Sequence, residues 1–316
     1  MAKSPSTIRL SADLKLGVND HYISETVPNE GNATGMTISS IESEDKQSGE
    51  ITGSSPLLLP SSRAEPYDAL AMIYDRMMTH VDYGHWSRFI IELLMRHRLP
   101  EGDTAQLRVL EAACGTGTLA LSLAGLALKV DAFDRSAAMI KEALRKSETT
   151  QNAPHFFVGT FDNFQANPPY DAAICLYDSI NYLLEAKQVT RFLRQIAGAL
   201  KPGGIFLFDI CTELNSILHF NGRREREEGP GYRYQRVMRY KHANRIQENI
   251  FEIVYAGPPR RTITEHHRQK IYSLDEMRGF IASAGLTLVE ELDGYEIKRP
   301  TSRSLRVHFV ARKPLE

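Results

Sequence analysis

The segment 109–120 constrains the fold of this chain more than any other. An apolar run there leads directly into Gly115-Thr116-Gly117, and a second apolar run follows. The first run predicts a buried strand and the second predicts a helix, so the glycines form the turn between them. Glycine adopts conformations that a Cβ obstructs, and it lets backbone approach a bound cofactor closely. This order of strand, Gly-x-Gly and helix predicts the cofactor-binding unit of an α/β fold.

The glycine pattern alone leaves the class of cofactor open. Residues 115–120 also match the looser dinucleotide pattern G-x-G-x-x-A, and Asp134 follows at a plausible distance, so a nicotinamide or flavin enzyme is one alternative. Asp134 ends the second predicted strand, where a carboxylate can accept hydrogen bonds from two ribose hydroxyls. Its other interpretation is a helix N-cap, a role that Ser136 fills better.

Beyond the glycine loop the chain alternates between strand-like and helical runs. The predicted strands are 108–113, 129–133, 155–158, 171–176 and 204–210, with helices such as 136–146 and 187–200 between them. This alternation predicts a parallel sheet with helices on both faces. A further helix, 274–284, precedes strands near 286–292 and 305–312. We therefore expect an α/β fold with a Rossmann-like, seven-stranded, mostly parallel sheet that ends in an antiparallel hairpin.

Two regions interrupt that alternation. Residues 1–62 are rich in Ser, Thr, Gly, Glu and Asn, which predicts a disordered N-terminal extension. Between Tyr232 and Tyr272, runs rich in β-branched and aromatic residues predict a small antiparallel insertion. The expected domain, 63–316, thus comprises N-terminal lid helices at 63–105, a cofactor-binding core at 106–210, an insertion at 211–272, and a terminal helix and hairpin at 273–316.

Composition narrows the classes of partner. The 38 basic and 39 acidic side chains nearly cancel, which disfavours a nucleic-acid partner. The three cysteines lack metal-ligand spacing, so no metal site is predicted. No run is long enough for a membrane span or a secretory signal, and we expect a cytoplasmic enzyme without a membrane partner. The sequence makes no prediction about oligomeric state.

Several segments resemble class I S-adenosylmethionine-dependent methyltransferases of the small-molecule type. Val-Leu-Glu-Ala-Ala-Cys-Gly-Thr-Gly at 109–117 is similar to their first motif, and Phe-Asp-Arg-Ser-Ala-Ala-Met-Ile at 133–140 is similar to their ribose-binding motif. Tyr-Asp-Ala-Ala-Ile-Cys-Leu at 170–176 resembles their fourth strand, and Leu-Lys-Pro-Gly-Gly at 200–204 resembles the turn before the fifth. A nicotinamide enzyme has no reason to carry that turn or the closing hairpin.

The resemblance implies S-adenosyl-L-methionine as the cofactor and assigns residues to it. Glu111 would lie near the methionine amino group, the two glycines beneath the methionine portion, and Asp134 on the ribose. Either the Asp162 side chain or the backbone near Phe161 would contact adenine, because this chain has Thr160 where the family commonly has an acidic residue. The residues assigned to cofactor contact are Tyr74, Trp86, Glu111, Ala113, Gly115, Gly117, Asp134, Arg135, Phe161, Asp162 and Leu176.

Methyl transfer is an in-line displacement that depends mainly on alignment, although a hydroxyl acceptor benefits from a base. Asp178 and Tyr182 follow the fourth predicted strand at the sheet edge where such folds place ligands. His267 lies in a stretch that resembles a strand over the active site of small-molecule methyltransferases. These three residues are the catalytic candidates. The alternatives are that Asp178 caps a helix and that His267 is a structural residue.

We therefore expect methyl transfer to an O or N atom of a small molecule. One alternative is a catalytically silent protein that keeps this fold as a binding or scaffold module. A protein or RNA methyltransferase is less favoured, because the basic cluster at 223–226 is short and of mixed charge.

Overall fold

The computed structural model describes residues 62–97, 107–165, 167 and 169–315. The predicted extension therefore lies outside the described residues except for Ser62, as do residues 98–105 of the predicted lid region. The strands are β1 (Ser62–Ala64), β2 (Arg108–Ala112), β3 (Lys129–Asp134), β4 (His155–Val158), β5 (Tyr170–Cys175), β6 (Leu200–Cys211), β7 (Arg224–Gly229), β8 (Tyr232–Lys241), β9 (Ile246–Tyr255), β10 (Arg261–Lys270), β11 (Thr287–Asp293) and β12 (Arg306–Arg312). The α-helices are α1 (Tyr74–Met77), α2 (Tyr83–His97), α3 (Thr118–Gly125), α4 (Ala137–Ser147), α5 (Ala186–Ala199), α6 (Glu213–Asn215) and α7 (Leu274–Ser283).

The larger sheet has seven strands in the order β11-β12-β6-β5-β2-β3-β4. Strands β4, β3, β2, β5 and β6 are parallel, whereas β12 runs antiparallel to β6 and β11 antiparallel to β12. Helices cover both faces of the central strands, which explains why β2, β5 and β6 read as nearly continuous apolar runs. The predicted fold class and closing hairpin are confirmed. None of the helices in the described part of the chain is long and apolar enough to cross a membrane.

The smaller sheet has five strands in the order β1-β10-β9-β8-β7. Its three long strands form the antiparallel insertion expected from the sequence. The two outer strands were not predicted: β7 is a charged run, Arg-Glu-Arg-Glu-Glu-Gly, and β1 has three residues, too few to show a period. Strand β1 pairs in parallel with β10, so the described chain begins at the edge of this sheet.

A cap segment, which we define as residues 65–77, joins the two sheets. The apolar spacing from Tyr67 to Met78 predicts one amphipathic helix there, and this prediction is wrong. The segment instead contains a 3-10 turn at Leu70–Met72 and the single-turn helix α1. Glu265 on β10 accepts hydrogen bonds from the backbone N–H groups of Tyr67, Ala69 and Leu70, at 2.8, 2.5 and 3.1 Å. Because a buried carboxylate holds these groups, the segment does not continue as a helix.

Candidate active site

A cavity of about 500 Å³ lies where the carboxyl ends of β2, β3 and β5 meet the cap segment. This volume is within the range of small-molecule and cofactor sites. Of the eleven residues that the sequence assigns to cofactor contact, all except Gly117 line the cavity. The edge of a parallel sheet at its strand carboxyl ends is where α/β folds place ligands.

Gly117 serves packing. Its backbone is left-handed, with φ of 73°, and a Cβ there would lie 2.6 Å from the Phe156 ring and 2.9 Å from the Cβ of Ala143. A side chain would therefore separate the glycine loop from β4 and α4. Gly115 is also left-handed, with φ of 55°, but its own Cβ position is open apart from Tyr74 at 3.7 Å. Of the two glycines, Gly115 lines the cavity, and Gly117 allows the loop to pack closely against β4 and α4.

Asp134 is held rigidly at the end of β3. Its Oδ2 accepts a hydrogen bond from the N–H of Gly115, and its Oδ1 accepts one from the N–H of Ser136, each at 2.9 Å. Ser136 caps α4, because its Oγ accepts from the N–H of Met139 at 3.2 Å. Asp134 therefore does not cap the helix with its side chain, and each of its oxygens retains capacity for another donor, as ribose hydroxyls would require.

Glu111 is buried on β2 beneath the same cavity. The sequence predicts a partner for this carboxylate, yet its Oε2 has no hydrogen-bond partner among the described residues. Burial first, and the charge of Asp134 second, raise the pKa of Glu111 to about 8. An orphaned carboxyl group facing a cavity fits a ligand that brings a cation. The ammonium group of S-adenosylmethionine meets that requirement.

The opposite end of the cavity has an aromatic wall. The Phe161 ring packs on Phe192 with centroids 4.4 Å apart, and Gln195 donates to the backbone oxygen of Asp162 at 2.7 Å. Asp162 Oδ1 has no hydrogen-bond partner within the described ranges, although Arg191 Nε lies 3.8 Å away. Both a flat apolar surface and an acceptor oxygen are thus available to a base, and the adenine assignment stays a prediction.

The cap segment is fixed to the glycine loop by a polar cluster. Thr116 Oγ1 donates to Asp75 Oδ1 at 2.5 Å, and Lys146 Nζ lies 2.8 Å from Asp75 Oδ2. Near the start of the cap segment, Asp68 Oδ1 accepts a hydrogen bond from Ser136 Oγ at 2.7 Å. Sequence reasoning missed these contacts, because the partners are far apart in the chain and no local pattern connects them.

On the acceptor side, four residues form a hydrogen-bonded chain that runs from the cavity into the smaller sheet. The hydroxyl groups of Tyr67 and Tyr182, both of which line the cavity, are 2.7 Å apart. Tyr182 is 2.9 Å from His267 Nδ1, and His267 Nε2 is 2.9 Å from Glu265 Oε2. His267 and Glu265 are 2% and 0% exposed, so this pair lies behind the tyrosines and is shielded from solvent.

The direction of these hydrogen bonds follows from the acceptors. Glu265 accepts from three backbone N–H groups and also from the Nε2–H of His267, which leaves Nδ1 as the acceptor for the Tyr182 hydroxyl. Burial lowers the pKa of His267 below 6.5, against the opposing effect of Glu265. Burial also raises the pKa of both tyrosines. The imidazole is therefore neutral near pH 7 and can take a proton through Tyr182.

Asp178 is placed differently from the other two catalytic candidates. Its carboxylate pairs with Arg306 at 2.6 Å and accepts from Gln269, and Arg306 also pairs with Asp209. Asp178 has φ of 48° and makes no side-chain cap to the turn that follows. It does not appear among the residues that line the cavity. The geometry therefore favours a role in holding the turn after β5, and gives Asp178 no acceptor proton to remove.

Similarities to known proteins agree with this arrangement. Residues 109–204 match the methyltransferase domain family. A protein of Geobacillus sp. (strain WCH70) that carries a provisional methyltransferase name is 28% identical over 250 residues, which are 78% of this chain and 99% of that protein. The fold is similar to that of an S-adenosylmethionine-dependent methyltransferase from Clostridium acetobutylicum ATCC 824, with a TM-score of 0.67 and 22% identity over 78% of this chain and 99% of the other. It is also similar to the sugar N-methyltransferase KedS8 from Streptoalloteichus sp ATCC 53650, with a TM-score of 0.62 and 19% identity over 84% of this chain and 100% of the other.

Proposed function

Because this chain is a class I S-adenosylmethionine-dependent methyltransferase, we propose that it methylates a nitrogen or oxygen atom of a small molecule held beneath the cap segment. The observation that carries the proposal is the hydrogen-bonded chain of Tyr67, Tyr182, His267 and Glu265, whose two tyrosines line the same cavity as Glu111. The cap segment contributes Pro66, Tyr67 and Tyr74 to the lining of this space, and its volume of about 500 Å³ suits a small acceptor better than a folded protein or RNA. KedS8, whose fold is similar, is a sugar N-methyltransferase, which agrees with an acceptor of this size.

The cofactor-side residues bind and orient. Asp134 is positioned to accept the ribose hydroxyls, and Glu111 to pair with the ammonium group. When bound, S-adenosylmethionine would supply an electrophilic methyl group, and its sulfur would retain the electron pair of the broken S–CH3 bond as the thioether of S-adenosylhomocysteine. Alignment under the cap segment contributes most of the rate acceleration.

The acceptor-side residues remove a proton. The Tyr182 oxygen takes the proton of the acceptor atom as the Tyr182 hydroxyl passes its own to His267 Nδ1, and Glu265 stabilises the resulting imidazolium. The raised pKa of Tyr182 keeps this residue a phenol, so it relays the proton without storing it.

The test is a parallel calorimetric titration with S-adenosylhomocysteine, S-adenosylmethionine and NAD, followed by a screen of small amines and alcohols for formation of S-adenosylhomocysteine. We expect binding of the first two ligands only, and turnover with an acceptor that has a free amine or hydroxyl group. Binding of both ligands without turnover on any acceptor would favour the silent scaffold, and binding of NAD alone would contradict the proposal.

A further inference from the structure

A second, smaller cavity of about 210 Å³ adjoins the first. The two cavities share Pro66, Arg135 and Tyr182 as lining residues. The second cavity lies beside β10 at positions beyond its pairing with β1, because β1 pairs only with residues 263–265 and the cavity reaches 266 and 268. Tyr182 therefore borders both cavities.

The second cavity is strongly basic. Three arginines line it, Arg63, Arg135 and Arg268, against a single acidic residue, Glu65. The net charge of these four side chains is thus about +2 at neutral pH. His266, on the same strand as Arg268, also lines the cavity and adds a donor. A lining of this kind in a chain with a formal net charge of -1 is a local feature of this site.

These basic groups have few partners of their own. Arg63 makes no ion pair within the described ranges, and the nearest carboxylate oxygen to Arg268, on Glu248, is 3.9 Å away. His266 Nε2 is buried without a hydrogen-bond partner among the described residues and lies 3.6 Å from Glu248. Arg135 is paired with Glu65 at 2.7 Å, but both of these side chains are largely exposed, so the pair is weak. Cationic side chains whose carboxylate partners are distant or largely exposed, in a concave site, fit an anionic ligand.

We propose that the methyl acceptor carries a phosphate-type dianion and that Arg63, Arg268 and His266 bind this group in the second cavity. The inference rests on the proposed function and names its substrate class. A dianion neutralises the net charge of the lining, whereas a single carboxylate leaves half of it uncompensated. The anion would anchor one end of the acceptor, while the atom to be methylated lies at Tyr182 in the first cavity.

The test is calorimetric titration of the full chain with sodium phenyl phosphate, a dianion above neutral pH, at constant ionic strength and in the presence of saturating S-adenosylhomocysteine, with acetate as a monoanion for comparison. The variant is Arg63→Gln/Arg268→Gln. A matched control is Arg224→Gln/Arg303→Gln, which removes the same charge from two exposed arginines that line neither cavity. The affinity for S-adenosylhomocysteine is also measured for the wild type, the variant and the control.

We expect phenyl phosphate to bind the wild type more tightly than acetate, to bind the Arg63→Gln/Arg268→Gln variant about tenfold or more weakly, and to bind the control as it binds the wild type. Equal binding to all three proteins, or none to the wild type, would overturn the basic cavity as an anion site. S-adenosylhomocysteine should bind all three alike. If S-adenosylhomocysteine did not bind the wild type, the proposed function itself would be contradicted. Failure of the anion site and failure of the proposed function are therefore distinguishable.

Discussion

At the scale of single residues, two buried glutamates have opposite surroundings. Glu265 accepts hydrogen bonds from three backbone N–H groups and from His267, whereas Glu111 Oε2 has none in the described part of the chain. A carboxylate whose oxygens are all hydrogen-bonded fixes its neighbours, whereas a buried carboxyl oxygen without a donor has capacity for a ligand. Glu265 therefore belongs to the framework of the site and Glu111 to its binding surface.

Glu111 should release a proton when cofactor binds. Its pKa of about 8 leaves it mostly protonated at pH 7 in the ligand-free protein, and an arriving ammonium group favours the carboxylate. We expect the binding enthalpy of S-adenosylhomocysteine at pH 7 to depend on the ionisation enthalpy of the buffer, and this dependence to disappear in Glu111→Gln. Glu92→Gln, an exposed change on α2, is the control. An unchanged buffer dependence in Glu111→Gln would refute the assignment.

The raised pKa of Glu111 also makes the stability of the ligand-free protein depend on pH. The folded ligand-free protein holds the Glu111 proton more tightly than the unfolded chain does, because the pKa rises from 4.5 to about 8 on folding. The free energy of unfolding of the wild type should therefore fall as pH rises between these values. The free energy of unfolding of Glu111→Gln should fall less over the same range. Urea unfolding at several pH values measures the difference.

His267 should govern the acidic side of the activity profile. Because burial lowers its pKa below 6.5, the neutral base persists to lower pH than a free histidine allows, and kcat should decline only as pH falls through that lowered value. With an acceptor from the screen, His267→Gln and Tyr182→Phe should each reduce kcat about a hundredfold with little change in KM, and His267→Gln should lose this decline. His242→Gln, on an exposed turn, should behave as wild type. A variant profile that keeps the wild-type acidic limb would exclude His267 as the proton acceptor.

The sequence predicted ten of the residues that line the larger cavity, because most of them belong to short continuous motifs. The sequence predicted only part of the hydrogen-bonded chain on the acceptor side. Tyr182 and His267 were predicted as catalytic candidates, but Tyr67 and Glu265 were not. A signal for Glu265 exists, since Glu-x-His-x-Gln at 265–269 places three polar side chains on one face of a strand. The position of Arg306 beside Asp178 has no such signal, because 128 residues separate the two.

At the scale of elements, the turn from β2 into α3 depends on one glycine. Gly117→Ala should lower the free energy of unfolding by about 1–3 kcal/mol, because a Cβ would meet the Phe156 ring in a left-handed conformation. Gly198→Ala, at an exposed helical glycine with open space around it, should be neutral or stabilising by up to about 1 kcal/mol. Chemical denaturation of both variants checks the pair. A Gly117→Ala protein as stable as wild type would show that the loop repacks.

Elements with a strong period were predictable, and those without one were not. The strands β8, β9 and β10 follow from their β-branched and aromatic runs. Strand β7 is stabilised by pairing with β8 at the sheet edge, where its charged side chains remain in solvent, so no apolar alternation marks it. The cap segment has helical apolar spacing, but its backbone N–H groups donate hydrogen bonds to Glu265. These tertiary contacts override the local preference for a helix.

At the scale of the whole molecule, the cap segment bridges the two sheets. It contacts the larger sheet region through Asp75 and Asp68, and the smaller sheet through Glu265. Both binding regions of the cavity are therefore covered by the same stretch of chain. The sequence predicted a lid there, but the contacts that close it are long-range and emerge only from the fold.

Loosening this bridge should speed ligand exchange. Asp75→Asn removes the ion pair with Lys146, so we expect S-adenosylhomocysteine to dissociate about tenfold faster. Trp86 is the only tryptophan and lines the cavity, so stopped-flow fluorescence can follow dissociation directly. Asp275→Asn, at an exposed residue of α7, is the control. If Asp75→Asn and wild type release the ligand at the same rate, the cap segment does not limit exchange.

The shared cover also has a consequence for the timing of catalysis. In the proposed function, spent cofactor and methylated product lie beside one stretch of chain, so we expect their release to require that this stretch moves aside. The slowest event of each cycle is then expected to be a motion of the protein, with a rapid first turnover followed by a slower steady rate. In such an enzyme, the contacts that hold Asp75 set the pace of turnover, although they touch no reacting atom.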